Sequence, residues 1–563
     1  MLPPEVLRVL LLIGLAATGY MLIQAWNEDY IQNADRVTYS DAPEVSGVGD
    51  VAPSVAPAQS ASAASSDVPD EALLTGEPTA PVATEVTPDD NRLITVTTPV
   101  LKIWIDRLGG DVVRVQLPTY PVTSDQPDTP YLLLENGGGH TYVAQSGLMG
   151  PDGVDSGQGR PLYTASETNL TVSEGATRTL VLKAAHQGLD VEKRFTFRGD
   201  DFLVDVSYHV PNTLGRPMEA ALFAQIKRDD KDPVTEESFS FGPQSYVGAA
   251  ITTPDERYLK IDFDDLEDGP VRHQVTGGWV AFLQHYFLSA WIAGAEDTNT
   301  YFGQQRSDGL FVFGYTGPKR SVADGALGEW RTQFYAGPKD QKRLEEISPN
   351  LNLTVDYGFL WWLAVPLFEL LAWLNGWFGN WGVSIIMLTV LVKIVLYPLF
   401  NVSYRSMAKM RKLAPEMKRL QERYSDDRQK LQQEMMKLYQ KEGANPLGGC
   451  LPMLLPMPVF LALYWVLWES VELRQAPFAL WIDDLSAMDP FFVLPLLMGA
   501  TMYAQQLMSP QMGDPMQQRM MKLMPVMFTV LFLFFPAGLV LYWLVNSVLS
   551  VAQQWWVTRQ TEA

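Results

Sequence analysis

The chain has 563 residues, 47% of them hydrophobic, with 39 Pro, 42 Gly and a formal charge of −22. That length suggests two or more domains, and so acidic a balance argues against a dedicated nucleic-acid binder, which needs a basic footprint. The single cysteine, Cys450, excludes an internal disulfide framework and any multi-cysteine metal cluster. Apolar residues crowd the first 26 and last 200 positions around an acidic middle, the pattern of a multi-domain membrane protein with a large soluble insert.

Val6–Trp26 is a run of 21 residues whose only charge is Arg8, long enough to cross about 30 Å of hydrocarbon. A cleaved signal peptide is the rival reading, but its apolar core usually spans only about 7–15 residues. Residues 1–26 are therefore expected to form a signal-anchor helix. Residues 27–91 follow, and Val37–Asn91 holds no Lys or Arg and one aromatic, Tyr39. Such a segment buries too little apolar surface to offset its ordering entropy, so a flexible linker is expected.

Residues 92–355 read as an all-β domain. Phe202–Val210 alternates apolar and polar residues, the period of a half-buried strand. Lys102–Ile105, Thr179–Leu182 and Thr332–Tyr335 are further strand candidates, punctuated by Gly109-Gly110, Asn136–Gly139 and Gly277-Gly278. All five histidines (His140, His186, His209, His273 and His285) lie here, none paired at metal-ligand spacing. His209 falls on the polar, solvated face of its strand, and the aromatic-rich Gly277–Phe287 reads as core more readily than as a groove.

Phe359–Phe378 is apolar but contains Pro366 and Glu369, and its four tryptophans suit a headgroup belt. Residues 356–380 are expected to form an interfacial helix; a seventh span there would invert everything downstream. Five apolar runs follow: Val383–Phe400, Cys450–Trp468, Phe491–Leu507, Met520–Phe535 and Leu539–Trp556. Pro536-Ala537-Gly538 closes the last two into a tight hairpin. With the anchor this makes six spans, five of them a core within residues 381–563.

Orientation follows from Lys and Arg in the short loops. Asn401–Pro446 carries eleven of them against six acids, whereas Val471–Pro490 carries one against four. The first loop belongs in the cytoplasm, which puts both termini inside and the β domain outside. Residues 401–446 also read as a helical hairpin. Met407, Met410, Leu413, Met417, Leu420 and Tyr424 form one apolar stripe, Pro415 should kink that arm, and Ser425-Asp426-Asp427 breaks it and caps the next. The hairpin either packs only on itself or docks a partner. Eighteen of the 22 methionines fall from Met387 onward, either as core filling or as an adaptable apolar surface.

No Gly-Lys-Ser or Gly-Lys-Thr occurs, so nucleotide hydrolysis by a Walker A loop is excluded. The informative position is Lys393, inside Val383–Phe400. A charge at mid-membrane costs about 2.5–3.5 kcal/mol on insertion scales, so it must snorkel to the headgroups or face a wet cavity. Thr389 shares its helical face. The other spans hold no acid to neutralise it, and an ion-coupled carrier usually shows one, which counts against a secondary transporter.

Asn445–Cys450, Gly538–Trp543, Met457–Tyr464, Val471–Phe478 and Gly379–Gly382 together resemble the bacterial YidC membrane protein insertases over nearly the whole chain. The resemblance implies a multi-pass protein of the Gram-negative inner membrane, with a periplasmic β-supersandwich domain and no cofactor. It implies a hydrophilic groove among five spans, open to the cytoplasm and the bilayer. The groove cation, typically Arg in the family, matches Lys393, which keeps the charge but loses the bidentate fork. Thr389, Met457, Pro458, Tyr542 and Trp543 match the substrate route. Arg405, Lys409, Arg411, Lys412, Lys418 and Arg419 would carry cytoplasmic docking. The implied partners are nascent membrane proteins, the Sec translocon, the ribosome and signal recognition particle pathway, and membrane lipids. The rivals are a secondary transporter and a membrane-anchored periplasmic carbohydrate-binding protein.

Overall fold

The computed structural model describes residues 67–69, 92–156, 159–231, 245–424, 427–442, 456–508 and 515–562. The expected anchor helix, the Asn445–Cys450 motif and the start of the Cys450–Trp468 run lie outside them. Two β-sheets, of eleven and nine strands, form the middle of the chain. Alternation explains the strands: Leu203–Pro211 buries every second side chain and pairs antiparallel with Leu189–Arg198 and Leu327–Pro338. Lys102–Asp106, Thr177–His186 and Leu327–Pro338 contain the other strand candidates. Gly109, Gly110, Gly277 and Gly278 all turn at positive φ, where glycine bears no Cβ penalty. Side chains from both sheets share one core, including Trp291, Trp330 and Phe334. Within the aromatic-rich Gly277–Phe287, Trp279 to Leu283 are fully buried and serve as packing, while Gly277 and Gly278 line a cleft.

Two short helices, α1 (Phe263–Asp268) and α2 (Gln341–Ile347), belong to the β domain. The helical region follows as α3 (Trp361–Phe378), α4 (Trp381–Val395), α5 (Tyr397–Arg423), α6 (Arg428–Glu442), α7 (Met457–Glu469), α8 (Val493–Met508), α9 (Pro515–Phe532) and α10 (Ala537–Glu562). Helix α3 buries Ala364, Leu367, Phe368, Leu371 and Leu374 on one face, while Trp361, Trp362, Glu369, Trp373 and Trp377 are exposed. With Gly358–Leu360 it makes a 21-residue element of mean hydropathy 1.4, long and apolar enough to cross a membrane.

The expected run Val383–Phe400 is two helices. Helix α4 ends at Val395, and α5 leaves at 68° with Pro398 in its first turn. Proline lacks the N–H that would continue the ladder, which accounts for the break. Pro415 does not end α5, which runs on to Arg423. Asp427 accepts from the Lys430 amide at 3.0 Å, capping α6.

One end of the bundle is clasped to the β domain. Lys339 and Glu469, both 2% exposed, pair at 3.2 Å. Ser245 Oγ donates to Glu469 and accepts from the Trp468 indole, and His285 Nε2 lies 2.7 Å from the Trp468 carbonyl oxygen. Arg474 donates to the carbonyls of Pro121 and Val122 at 2.8 and 2.9 Å. Several residues of the family-like motifs serve this end. Asn380 caps α4 and donates to the Phe478 carbonyl; a Cβ at Gly382 would overlap the Phe478 ring; Gly538 donates to Leu485 at 2.9 Å.

Of the segment 27–91, expected to be a flexible linker, the described residues are Asp67, Val68 and Pro69. Asp67-Val68-Pro69 lie against the β domain, with Val68 and Pro69 buried.

Candidate functional site

Lys393 sits in the last turn of α4, where the helix dipole favours a cation. Its side chain does not reach outward. The residue is 7% exposed, between Val392 and the exposed Ile394 and Val395. The ammonium turns back against α10, where Nζ donates to Ser550 Oγ at 2.7 Å. Ser550 Oγ in turn donates a hydrogen bond to the Asn546 carbonyl, also at 2.7 Å. Because the chain bends at Leu396, the Phe400 ring comes beneath Nζ, 3.7 Å from its centroid, a cation–π contact.

An ammonium carries three donors. Among the described residues, one hydroxyl is the only hydrogen-bond acceptor Lys393 meets, and no carboxylate pairs with it. A buried charge in that state is costly unless something polar completes its shell. The surroundings are suited to such a guest. Asn546, Ser550 and Gln554 repeat every fourth residue along α10 and are all buried, as are Ser547 and, on α5, Ser403 and Tyr404. Gln554 Oε1 has no hydrogen-bond partner among the described residues. Buried polar atoms are rarely left so, and each marks a place where water or another polar group belongs. This stripe escaped the sequence reading, although its signal was present: polar residues at i, i+4 and i+8 inside an apolar run.

The other expected contacts lie elsewhere. Thr389 is 1% exposed and returns its hydroxyl to the Ile385 carbonyl of its own helix at 2.7 Å. Tyr542 and Trp543 are buried in the bundle core, Trp543 edge-on to Phe460 at 4.8 Å. Met457 and Pro458 open α7, and Pro458 is exposed. Thus Lys393 is joined by α10 and α5, not by the full set of residues matched to the route.

Arg405, Lys409, Arg411, Lys412, Lys418 and Arg419 are all exposed along α5. The opposite stripe buries Met407, Met410 and Met417; Met407 packs with Phe400, Tyr404 and Val557, and the Tyr439 hydroxyl donates to Met417 sulfur at 3.8 Å. In the β domain a cleft of about 1000 Å³ is lined by Arg194, His209, Glu329 and Arg331 among others. His209 is therefore half-buried in a cleft wall, 3.1 Å from Ser207 Oγ, rather than freely solvated.

Comparison with known proteins agrees with this division. Residues 93–370 match the YidC periplasmic domain and residues 373–563 the 60Kd inner membrane protein family. The chain is 48% identical over 564 residues to the membrane protein insertase YidC of Pseudomonas putida (strain W619), covering 99% of both chains. It is 47% identical over 565 residues to that of Azotobacter vinelandii (strain DJ / ATCC BAA-1303), again covering 99% of both. A crystal structure of an active YidC insertase aligns over 83% of this chain and 94% of its own, at 17% identity and a TM-score of 0.38, too distant to add to the sequence match. With near-complete coverage at almost half identity, the chain belongs to the YidC family of membrane protein insertases of the bacterial inner membrane, and its β-rich region is that family's periplasmic domain.

Proposed function

We propose that this protein inserts nascent membrane proteins into the inner membrane through a polar recess around Lys393, without nucleotide hydrolysis. The observation that carries the reading is the buried ammonium with one hydroxyl partner among the described residues, in a polar stripe whose Gln554 Oε1 lacks a partner there. In this reading the cation keeps water in the inner leaflet and shortens the apolar path for a substrate's polar, often acidic, end. That end enters the recess while the hydrophobic segment slides past Met457 and Pro458 into lipid. Each apolar residue reaching the bilayer contributes a few tenths of a kcal/mol. The membrane potential, positive outside, adds ~2.3 kcal/mol per acidic charge per 100 mV. Thr389, Tyr542 and Trp543 then act from within the bundle wall, exposed to substrate only as the helices part.

Six spans with both termini in the cytoplasm, α3 lying along the interface, and α5–α6 as a cytoplasmic hairpin complete the arrangement. Arg405, Lys409, Arg411, Lys412, Lys418 and Arg419 form the face offered to the ribosome or the signal recognition particle pathway, and the Sec translocon is the partner for larger substrates. In cells depleted of their own insertase, Lys393→Ala and Lys393→Glu should both reduce insertion of a short single-spanning substrate with an acidic leading end. Undiminished insertion by both would refute the charge role.

A further inference from the structure

The described residues of the segment before the β domain, Asp67-Val68-Pro69, are anchored to that domain. The Asp67 carboxylate accepts from Lys227 Nζ and Arg306 Nη1, both at 2.7 Å. Its carbonyl accepts from Gln225 Nε2 at 2.9 Å. Gln225 is fixed in turn by Gln145 Oε1, and Gln145 by Asp111. Val68 buries its side chain against Met149, Ala221 and Phe223, and Pro69 is buried beside it. Gln225 and Lys227 stand on the strand Met218–Arg228, and Arg306 follows the strand Thr298–Gln305, so a rigid sheet holds the cradle. Arg306 also contacts Asp308 at 2.9 Å, so Asp67 shares it with a carboxylate of the domain.

We propose that Gln225, Lys227, Arg306 and the Met149–Ala221–Phe223 pocket form a recognition site for an Asp-aliphatic-Pro tripeptide, occupied by this chain's own Asp67-Val68-Pro69. The features divide the work of recognition. Two cations select a carboxylate, the Gln225 amide reads the backbone carbonyl, and the pocket takes a β-branched side chain. Burial alone would raise the Asp67 carboxyl, but the two cations hold it well below the usual carboxylate range. The site shortens the tether. The chain is fixed to the β domain at Asp67 rather than first at Leu93, where the sheet begins. Because the occupant is covalently attached, a separate acidic peptide must compete with a high effective concentration.

The test uses the full-length protein in detergent with Cys450→Ser and Val68→Cys. Cysteine is a small hydrophobe that the pocket still accepts. Maleimide labelling of Cys at position 68 should be slower than in denaturant by about tenfold or more, the protection given by a closed local equilibrium. Adding Asp67→Asn, which removes the charge met by Lys227 and Arg306 at almost unchanged side-chain volume, should restore a rate within about twofold of the denatured one. Labelling as fast as in denaturant without Asp67→Asn would overturn the proposal. So would slow labelling that Asp67→Asn leaves unchanged, because the carboxylate would then not be what is recognised.

Discussion

Two lysines of this protein are almost equally hidden and are treated in opposite ways. Lys339, at the clasp between the β domain and α7, meets the carboxylate of Glu469, itself held by Ser245. Lys393, between α4 and α10, meets a hydroxyl and an aromatic ring. A third, Lys193 in the β domain, shows what a completed shell looks like, with carbonyls of Gly109, Gly110 and Ser146 at 2.9–3.0 Å. Burial makes a charge expensive in all three places, and protein groups repay that cost at Lys193 and Lys339. At Lys393 they repay it in part. Where the fold needs rigidity the cation is saturated; where the protein is proposed to receive a guest it keeps donors to spare.

The comparison can be broken first at the clasp. Glu469→Ala strands Lys339 in a buried site and should cost about 3–5 kcal/mol, seen as an early thermal transition. Lys339→Met with Glu469→Leu should lose less than either single change; a double variant as unstable as Glu469→Ala would show that the pair is not what matters there.

Acid probes the same joint more gently. Burial pushes the His285 ring down to about 4, with Glu469 opposing and Lys339 and Arg474 assisting. The folded state thus prefers the neutral ring, while the unfolded chain protonates near 6.5. This part of the stability is intact above about pH 6.5 and is lost as pH falls from there towards 4. His285→Gln, which keeps a donor for the Trp468 carbonyl, should flatten that acid limb in a melting-temperature profile. Arg474→Ala removes two hydrogen bonds from a charged donor and should cost about 1–3 kcal/mol, measurable as increased deuterium exchange near Pro121 and Val122.

The smallest effect is the sharpest contrast. Lys393→Met should leave stability within about 1 kcal/mol of the parent or raise it, because an incompletely paired buried charge is replaced by an isostere. Insertion should fall all the same. A large loss of stability would place Lys393 with Lys339 as a structural group.

How much of this was legible in the sequence depended on periodicity. Strand alternation and apolar runs repeat, and they marked the β domain and the positions of α4 and α7 to α10. Lys393 stood out as one charge in an apolar run. The clasp gave no such signal, since Lys339 and Glu469 are single residues 130 positions apart that topology brings together. The break at Leu396 was hidden because Pro398 lies inside an apolar stretch that reads as one span. Asp67 is one acid among many in a segment without basic residues, and only the sheet supplies its cations. The family-like motifs include residues with a packing role in the bundle. Gly382, Asn380, Phe478 and Gly538 make the close approaches at the clasped end of the bundle, and Trp543 fills its core, where substitution carries a packing penalty.

The most direct test is a charge exchange between protein and substrate. A single-spanning substrate is made with an acidic, a neutral or a basic leading end, and its insertion is measured with Lys393 or Lys393→Glu in depleted cells. The account predicts that Lys393→Glu impairs the acidic substrate most and that the basic one recovers in that variant. Equal impairment of all three, whatever their charge, would contradict a recess that works by receiving an acidic guest.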